Sequence, residues 1–229
     1  MPVQTRLQAK QSKGQKKNLV RKYMRVLELF SGTGSVKKIC NELGWDCVSV
    51  DITSELHPVD YEVNILEWDY TKLAKDSFDI IWASPPCNSF SSMLFLTPSI
   101  DQAKLIEEQG LPLLYKTLEI IDYFNPKYFF MENPDGGKMK DFVSELIPYI
   151  RVCYCRYGYH YKKPTRIWTN AEYEGKWCEC KGKHKKSIGT TRATETDKFK
   201  IGTNKKNMKL AQKYSIPPKL ISELFDSVV

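Results

Sequence analysis

No apolar run in this 229-residue chain approaches the length of a membrane span. Its start carries charge without an apolar h-region, so an ordinary secretory signal is not expected and an intracellular location is. Disulfide-scaffold features are few, and seven cysteines in such a chain suit a reducing compartment. Internal repeats are lacking, which excludes solenoids and propellers. Acid is missing from residues 1–25, which hold eight Lys and Arg. The middle is the reverse, with 9 basic and 20 acidic residues over 26–150. Over 151–229 the balance returns to 18 basic against 7 acidic, and the net charge is +8. A chain charged this way either solvates a tail and a Lys-rich loop or holds a polyanion against a catalytic middle.

Residues 1–24 are too poor in apolar side chains to fold alone and read as a basic, flexible arm. A strand over 26–30 is followed by the glycine loop 31–35, a helix over 36–43 stopped by Gly44, and a strand over 47–50 ending at Asp51. Further strands are predicted over 63–66, 78–83 and 128–131, with a long helix over 102–124. This alternation predicts an α/β fold, a doubly wound and mostly parallel Rossmann-like sheet, in a domain spanning 25–170. Residues 151–156 and 165–169 read as two more strands, a hairpin bracketing 157–161. Residues 171–207 form a short, loop-rich basic insertion, and 208–229 end in a helix entered through Pro217 and Pro218.

Three features carry chemistry. Gly32 and Gly34, between the first strand and the first helix, let the backbone approach a nucleotide, and Asp51 is placed to accept from ribose hydroxyls. The third glycine of the dinucleotide fingerprint is missing, since Ser35 and Val36 follow Gly34. A nucleoside cosubstrate without a diphosphate, such as S-adenosylmethionine, is favoured over NAD, and a purely structural turn is the alternative. Next, Pro85 and Pro86 stop a buried strand and deliver Cys87 at the carboxyl edge of the sheet, where open α/β sheets put their ligands. A thiol there is placed as a nucleophile; the alternative is a small buried hydrophobe. Glu132 ends the 128–131 strand on that same edge, unless Glu132 and Asn133 merely cap a helix. Arg166 starts a late strand, where a surface ion pair is the structural alternative.

Together these residues resemble the cytosine-5 DNA methyltransferase family, with the compact, Lys-rich texture of the short methylases of phages and large DNA viruses. Leu29-Phe30-Ser31-Gly32-Thr33-Gly34 is similar to the family's first motif, and Pro86-Cys87-Asn88-Ser89-Phe90-Ser91 matches its Pro-Cys-x-x-Phe-Ser loop. Glu132-Asn133, 45 residues after Cys87, resembles the Glu-Asn motif, and Arg166 the last arginine of the arginine motif. Ile216-Pro217-Pro218-Lys219-Leu220 resembles the tail of the final motif, which returns to the catalytic domain. The resemblance implies a DNA (cytosine-5-)-methyltransferase that flips its target base out of duplex DNA. Cys87 would attack carbon 6, Glu132 would bond or protonate ring nitrogen 3, and Arg166 would hold the base carbonyl. It also implies S-adenosylmethionine held by Phe30, Ser31, Gly32, Thr33, Gly34, Asp51, Ile52, Asn64, Ile65, Pro85 and Pro86.

The chain departs from the family in four places. Pro134 follows Glu-Asn where an apolar branched residue is usual, and Lys162 and Pro164 replace the glutamine and first arginine of the arginine motif. Lys213-Tyr214 stands for the final Gly-Asn, and the target-recognition region is about 40 residues against a whole small domain. A short or loose target sequence is expected. Ser84-Pro85-Pro86 also resembles the exocyclic-amino methyltransferases, and RNA cytosine-5 methylation or a non-catalytic DNA-binding role remain alternatives. Cys153, Cys155, Cys178, Cys180 and His184 invite a zinc reading, but the one-residue spacing within each pair is shorter than usual and no metal ligand is assigned.

Overall fold

The computed structural model describes residues 22–91, 101–180, 211 and 214–229. Most of the basic arm, most of the 171–207 insertion and His184 lie outside them. Among the described residues seven strands form one sheet: β1 (Arg25–Leu29), β2 (Asp46–Asp51), β3 (Tyr61–Glu62), β4 (Ile80–Ala83), β5 (Tyr128–Pro134), β6 (Tyr149–Cys153) and β7 (Pro164–Thr169). Their order is β3-β2-β1-β4-β5-β7-β6. The first five run parallel, while β7 lies antiparallel between β5 and β6, so the sheet is mixed but mostly parallel.

Two layers of helices bury the sheet's faces. On one face lie α1 (Ser35–Leu43) and α4 (Pro218–Asp226). Val36, Ile39 and Cys40 recur at helical spacing on α1, as do Leu220, Ile221, Leu224 and Phe225 on α4, and all are buried. Phe225 packs on Trp45, Trp82 and Phe130, which ties the carboxyl-terminal helix to β4, β5 and the turn that leads into β2. The other face is covered by α3 (Leu111–Phe124), whose Leu114, Thr117, Ile120 and Phe124 are buried. Asn125, at φ 44°, ends that helix in the left-handed conformation its short polar side chain tolerates.

The structure departs from the sequence reading at several elements, among them β5, which runs on to Pro134 rather than stopping at 131. The 102–124 helix is interrupted: α2 (Gln102–Leu105) passes into a π turn over Ile106–Gly110 before α3 begins. Pro112 has no N–H to give four residues back, and the Leu111 N–H reaches Ile106 instead, five residues back. The third strand lies at Tyr61–Glu62, not at 63–66. Asn64 ends it, since its side-chain carbonyl accepts the Leu66 N–H and its backbone carbonyl the Glu67 N–H. β6 stops at Cys153, and residues 154–157 form a short 3-10 turn rather than continuing the strand. That turn buries Tyr154 and Tyr157 on one side, three residues apart, where an extended chain would separate them. The β4 strand begins at Ile80, two residues later than expected.

Candidate active site

Strand register aligns the loops that matter. Leu29 pairs with Val50 and with Ala83, and Ala83 pairs with Met131. The residues that follow this row are Phe30, Asp51, Ser84 and Glu132, so four strands release their loops along one carboxyl edge.

The glycine loop leaves β1 in a tight coil. Phe30, Gly32 and Gly34 all take positive φ, of 58°, 50° and 64°. A side chain on Gly34 would begin 2.5 Å from the His57 ring, so this position needs glycine twice over, for conformation and for space. Asp51 fixes the loop by accepting the Gly32 N–H at 2.8 Å and the Thr53 N–H at 3.2 Å. Beneath the loop lies Glu28, a residue the sequence reading passed over. Its carboxylate accepts the Val36 and Lys37 N–H groups at the start of α1 and the Ser31 hydroxyl. Burial pushes its carboxyl up to about 7, against the pull of those donors. Ser31 and Thr33 are buried, and the Thr33 and Ser35 hydroxyls bond at 2.8 Å. Ser35 Oγ also accepts the Ile216 N–H, which brings the carboxyl-terminal segment back to the loop. Ile52 is 68% exposed beyond Asp51, while Ile65 is buried and Asn64 half-buried nearby in sequence.

The Cys87 loop is held at both ends. The Ser84 N–H bonds the Leu29 carbonyl at 3.2 Å, and Asn133 Nδ2 donates to the Pro85 carbonyl at 2.9 Å. Pro85 is buried, Pro86 exposed, and Cys87 half-buried between them and Asn88. On the far side Phe90 anchors the loop: it is buried, and Gly110 of the π turn leaves room for its ring. The Phe90 carbonyl accepts the Lys138 N–H, and Gln102 Nε2 donates to the Ser91 carbonyl. The Asn133 amide thus joins the Glu-Asn strand end directly to the turn that presents Cys87.

Glu132 is buried at 6% exposure on the face shared by α1 and α4. Tyr154 donates its hydroxyl to Glu132 Oε1 at 2.9 Å, and Lys163 Nζ lies 3.7 Å from the same oxygen. Lys163 also sits 4.6 Å over the Tyr154 ring. Burial and the adjacent Glu132 hold the Tyr154 phenol well above its ordinary value, so it serves as a donor there. Arg166 is elsewhere. It pairs with Asn133 across the strands, one residue out of step with Glu132, and so projects from the opposite face. There its Nε bonds Asp135 at 3.1 Å and its guanidinium lies 4.0 Å over the Tyr149 ring. Burial alone would push the Asp135 carboxyl up, but Arg151 and Arg166 outweigh it and hold it below the usual range. The cation that accompanies Glu132 is therefore Lys163, and the structure does not bring Arg166 to it.

A model of the C-5 cytosine-specific DNA methylase family matches residues 24–147, the span that builds the glycine loop, the Cys87 loop and the Glu132 strand. A probable DNA (cytosine-5)-methyltransferase of Frog virus 3 is 40% identical over 89% of this chain and 99% of its own length. The chain belongs to the C-5 cytosine-specific DNA methylase family. The type II methyltransferase M.HpaII of Haemophilus parainfluenzae is 26% identical over 62% of this chain, which spans 40% of that enzyme. A solved structure of Spodoptera frugiperda DNMT2 is 19% identical, covering 68% of this chain and 55% of that one at a TM-score of 0.44.

As a family member the chain is an S-adenosylmethionine-dependent methyltransferase with DNA as the implied substrate. The edge of the sheet fits such a donor. The loop presents Gly32 without a side chain, Asp51 stands beside it, and the apolar Ile52 side chain next to Asp51 is uncovered. No helix among the described residues is long and apolar enough to cross a membrane. Sequence reasoning missed Glu28, His57, Tyr154 and Lys163. Only Lys163 had a signal, since it adjoins the place where the methylase arginine motif lacks its first arginine.

Proposed function

We propose that the chain methylates carbon 5 of a cytosine flipped out of duplex DNA, through a transient covalent bond from Cys87. The observation that carries this reading is the Asn133–Pro85 bond, which couples the Glu132 strand end to the Cys87 turn on the edge where the glycine loop opens. Cytosine carbon 5 is a poor nucleophile until a thiolate adds at carbon 6. Attack by Cys87 Sγ forms the carbon–sulfur bond and shifts the ring electrons to carbon 5. Glu132 in its protonated form donates a hydrogen bond to ring nitrogen 3 and passes its proton there as the ring takes up the thiolate's electrons, which neutralises the developing charge. Tyr154 fixes the Glu132 carboxyl group and leaves its second oxygen for the base. Lys163 supplies positive charge beside it, the part the resemblance assigns to Arg166, while Arg166 holds the β5 end through Asp135. S-adenosylmethionine, when bound, supplies the methyl group as a sulfonium. Transfer of the carbon-5 proton to solvent, with the nitrogen-3 proton returning to Glu132, then breaks the carbon–sulfur bond and releases Cys87 as the thiolate.

Attack at carbon 6 requires the ring face, and so a base out of the stack. Duplex DNA carrying 5-fluorocytosine in place of cytosine tests this route, because the fluorine cannot leave as a proton does. With S-adenosylmethionine present, a denaturant-stable adduct containing the Cys87 peptide is expected. Turnover on normal DNA without any adduct on the fluorinated duplex would move the reaction to an exocyclic amine, and adducts with RNA alone would move it to that substrate.

A further inference from the structure

Three of the seven thiols converge outside the catalytic edge. Cys153 ends β6, Cys155 lies in the turn that follows, and Cys178 comes from the irregular segment after β7. Their sulfurs lie within 4.8 Å of one another, with Cys153 and Cys155 at 3.3 Å. A tetrahedral zinc ion with bonds of about 2.3 Å sets its sulfurs about 3.8 Å apart, so the three need only small adjustments to share one.

The backbone is built to bring them together. Cys153 donates its N–H to the Lys176 carbonyl at 3.0 Å, and the Lys176 N–H is taken by the Tyr157 hydroxyl at 3.0 Å. Gly175 passes so close to the Arg151 carbonyl that no side chain would fit. Two segments about 20 residues apart are thus pinned side by side along the outer edge of the sheet, although 171–180 contains no helix or strand.

Plain packing accounts for a different pair. Cys40 and Cys47 belong to the apolar cluster beneath α1 and α4. Cys153, Cys155 and Cys178 belong to neither apolar cluster, and Cys155 and Cys178 are half-exposed among Arg156, Lys176 and Glu179. Cys180, also half-buried, follows two residues after Cys178.

We propose that Cys153, Cys155, Cys178 and Cys180 bind one structural zinc ion. Each thiol gives its proton to solvent as the ion binds, and the soft thiolate set selects zinc over harder cations. The site stands where the chain enters residues 181–210, with ten Lys and Arg against two acidic residues. That sequence has little apolar content, and a metal clip would fix the described segment that leads into it.

The test is metal analysis of the full chain, purified with reductant and dialysed, then cobalt titration of the metal-free protein. About one zinc per chain is expected, together with the visible bands and thiolate charge-transfer absorption of tetrahedral cobalt. Cys155→Ser and Cys178→Ser should each cut retained zinc at least about tenfold, and Cys87→Ser should retain it all. Circular dichroism and S-adenosylmethionine binding confirm that each variant is folded. Folded wild-type protein that neither retains zinc nor gives the cobalt bands overturns the site, as does a Cys153–Cys155 disulfide in fully active protein. Full retention in Cys180→Ser overturns the assignment of the fourth ligand.

Discussion

Replacing Gly34 with alanine strikes the glycine loop in two separable ways, and Gly44 provides the control. Both residues sit in the left-handed region, at φ 64° and 70°, where a Cβ costs about 1–2 kcal/mol. At Gly44 nothing lies within 4 Å of the new methyl, so that strain is the whole effect. At Gly34 the methyl would start 2.5 Å from His57 Cγ, an atom near the root of the ring. His57 must move, and forced overpacking of this kind adds about 1–3 kcal/mol. Gly44→Ala should therefore lose about 1–2 kcal/mol in urea melts and bind S-adenosylmethionine as wild type does. Gly34→Ala should lose about 2–5 kcal/mol, the sum of both effects. The loop's displacement should also weaken S-adenosylmethionine in calorimetry by about tenfold for each 1.4 kcal/mol that binding must restore. Equal stabilities for the two variants, with unchanged affinity in both, would refute the view that this loop is a close-fitting cradle.

Three other outcomes follow from the geometry. Asn133→Ala removes the donor to the Pro85 carbonyl; methyl transfer should fall about 10²-fold while S-adenosylmethionine affinity holds, and an unchanged kcat would dismiss the coupling between strand end and thiol turn. Lys163→Met should lower kcat about 10²-fold in folded protein, whereas Arg166→Ala should mainly cost stability, about 1–3 kcal/mol, by freeing Asp135. The reverse pattern would return the catalytic part to Arg166. Glu28 predicts a pH trend: with its carboxyl raised from 4.5 to about 7, the folded chain keeps a proton that the unfolded chain has released between those values. Stability contributed by this group therefore falls as pH rises from 4.5 to 7, and Glu28→Gln should flatten that slope in urea midpoints measured from pH 5 to 8. An identical slope in the variant would exclude Glu28 as its source.

Much of the site could be read from local chemistry. The Gly32–Gly34 loop, Asp51 and the Pro85-Pro86-Cys87 stop each follow or end a short apolar strand, Glu132 lies near the end of β5, and parallel strands bring these positions to one edge whatever their exact bounds. What escaped depends on register and on distant partners. The faces of Glu132 and Arg166 are decided by the antiparallel pairing of Asn133 with Arg166, and a shift of one residue would have joined them. Glu28 looks like an interruption in an apolar strand until the start of α1, eight and nine residues later, supplies its donors. The π turn at Ile106–Gly110 answers Pro112 and the Phe90 ring together, and only one of those is local. The C-5 cytosine methylase motifs say nothing of the thiols at Cys153, Cys155 and Cys178, whose convergence rests on the pairing of β6 with an irregular segment.

Methyl transfer from labelled S-adenosylmethionine to mixed-sequence duplex DNA, read by nucleoside mass spectrometry with Cys87→Ala alongside, tests the covalent route most directly. The expected result is 5-methylcytosine from the wild-type chain and none from Cys87→Ala, although both bind S-adenosylmethionine. A methyl group on an exocyclic amine, or 5-methylcytosine made equally well without the Cys87 thiol, would contradict it.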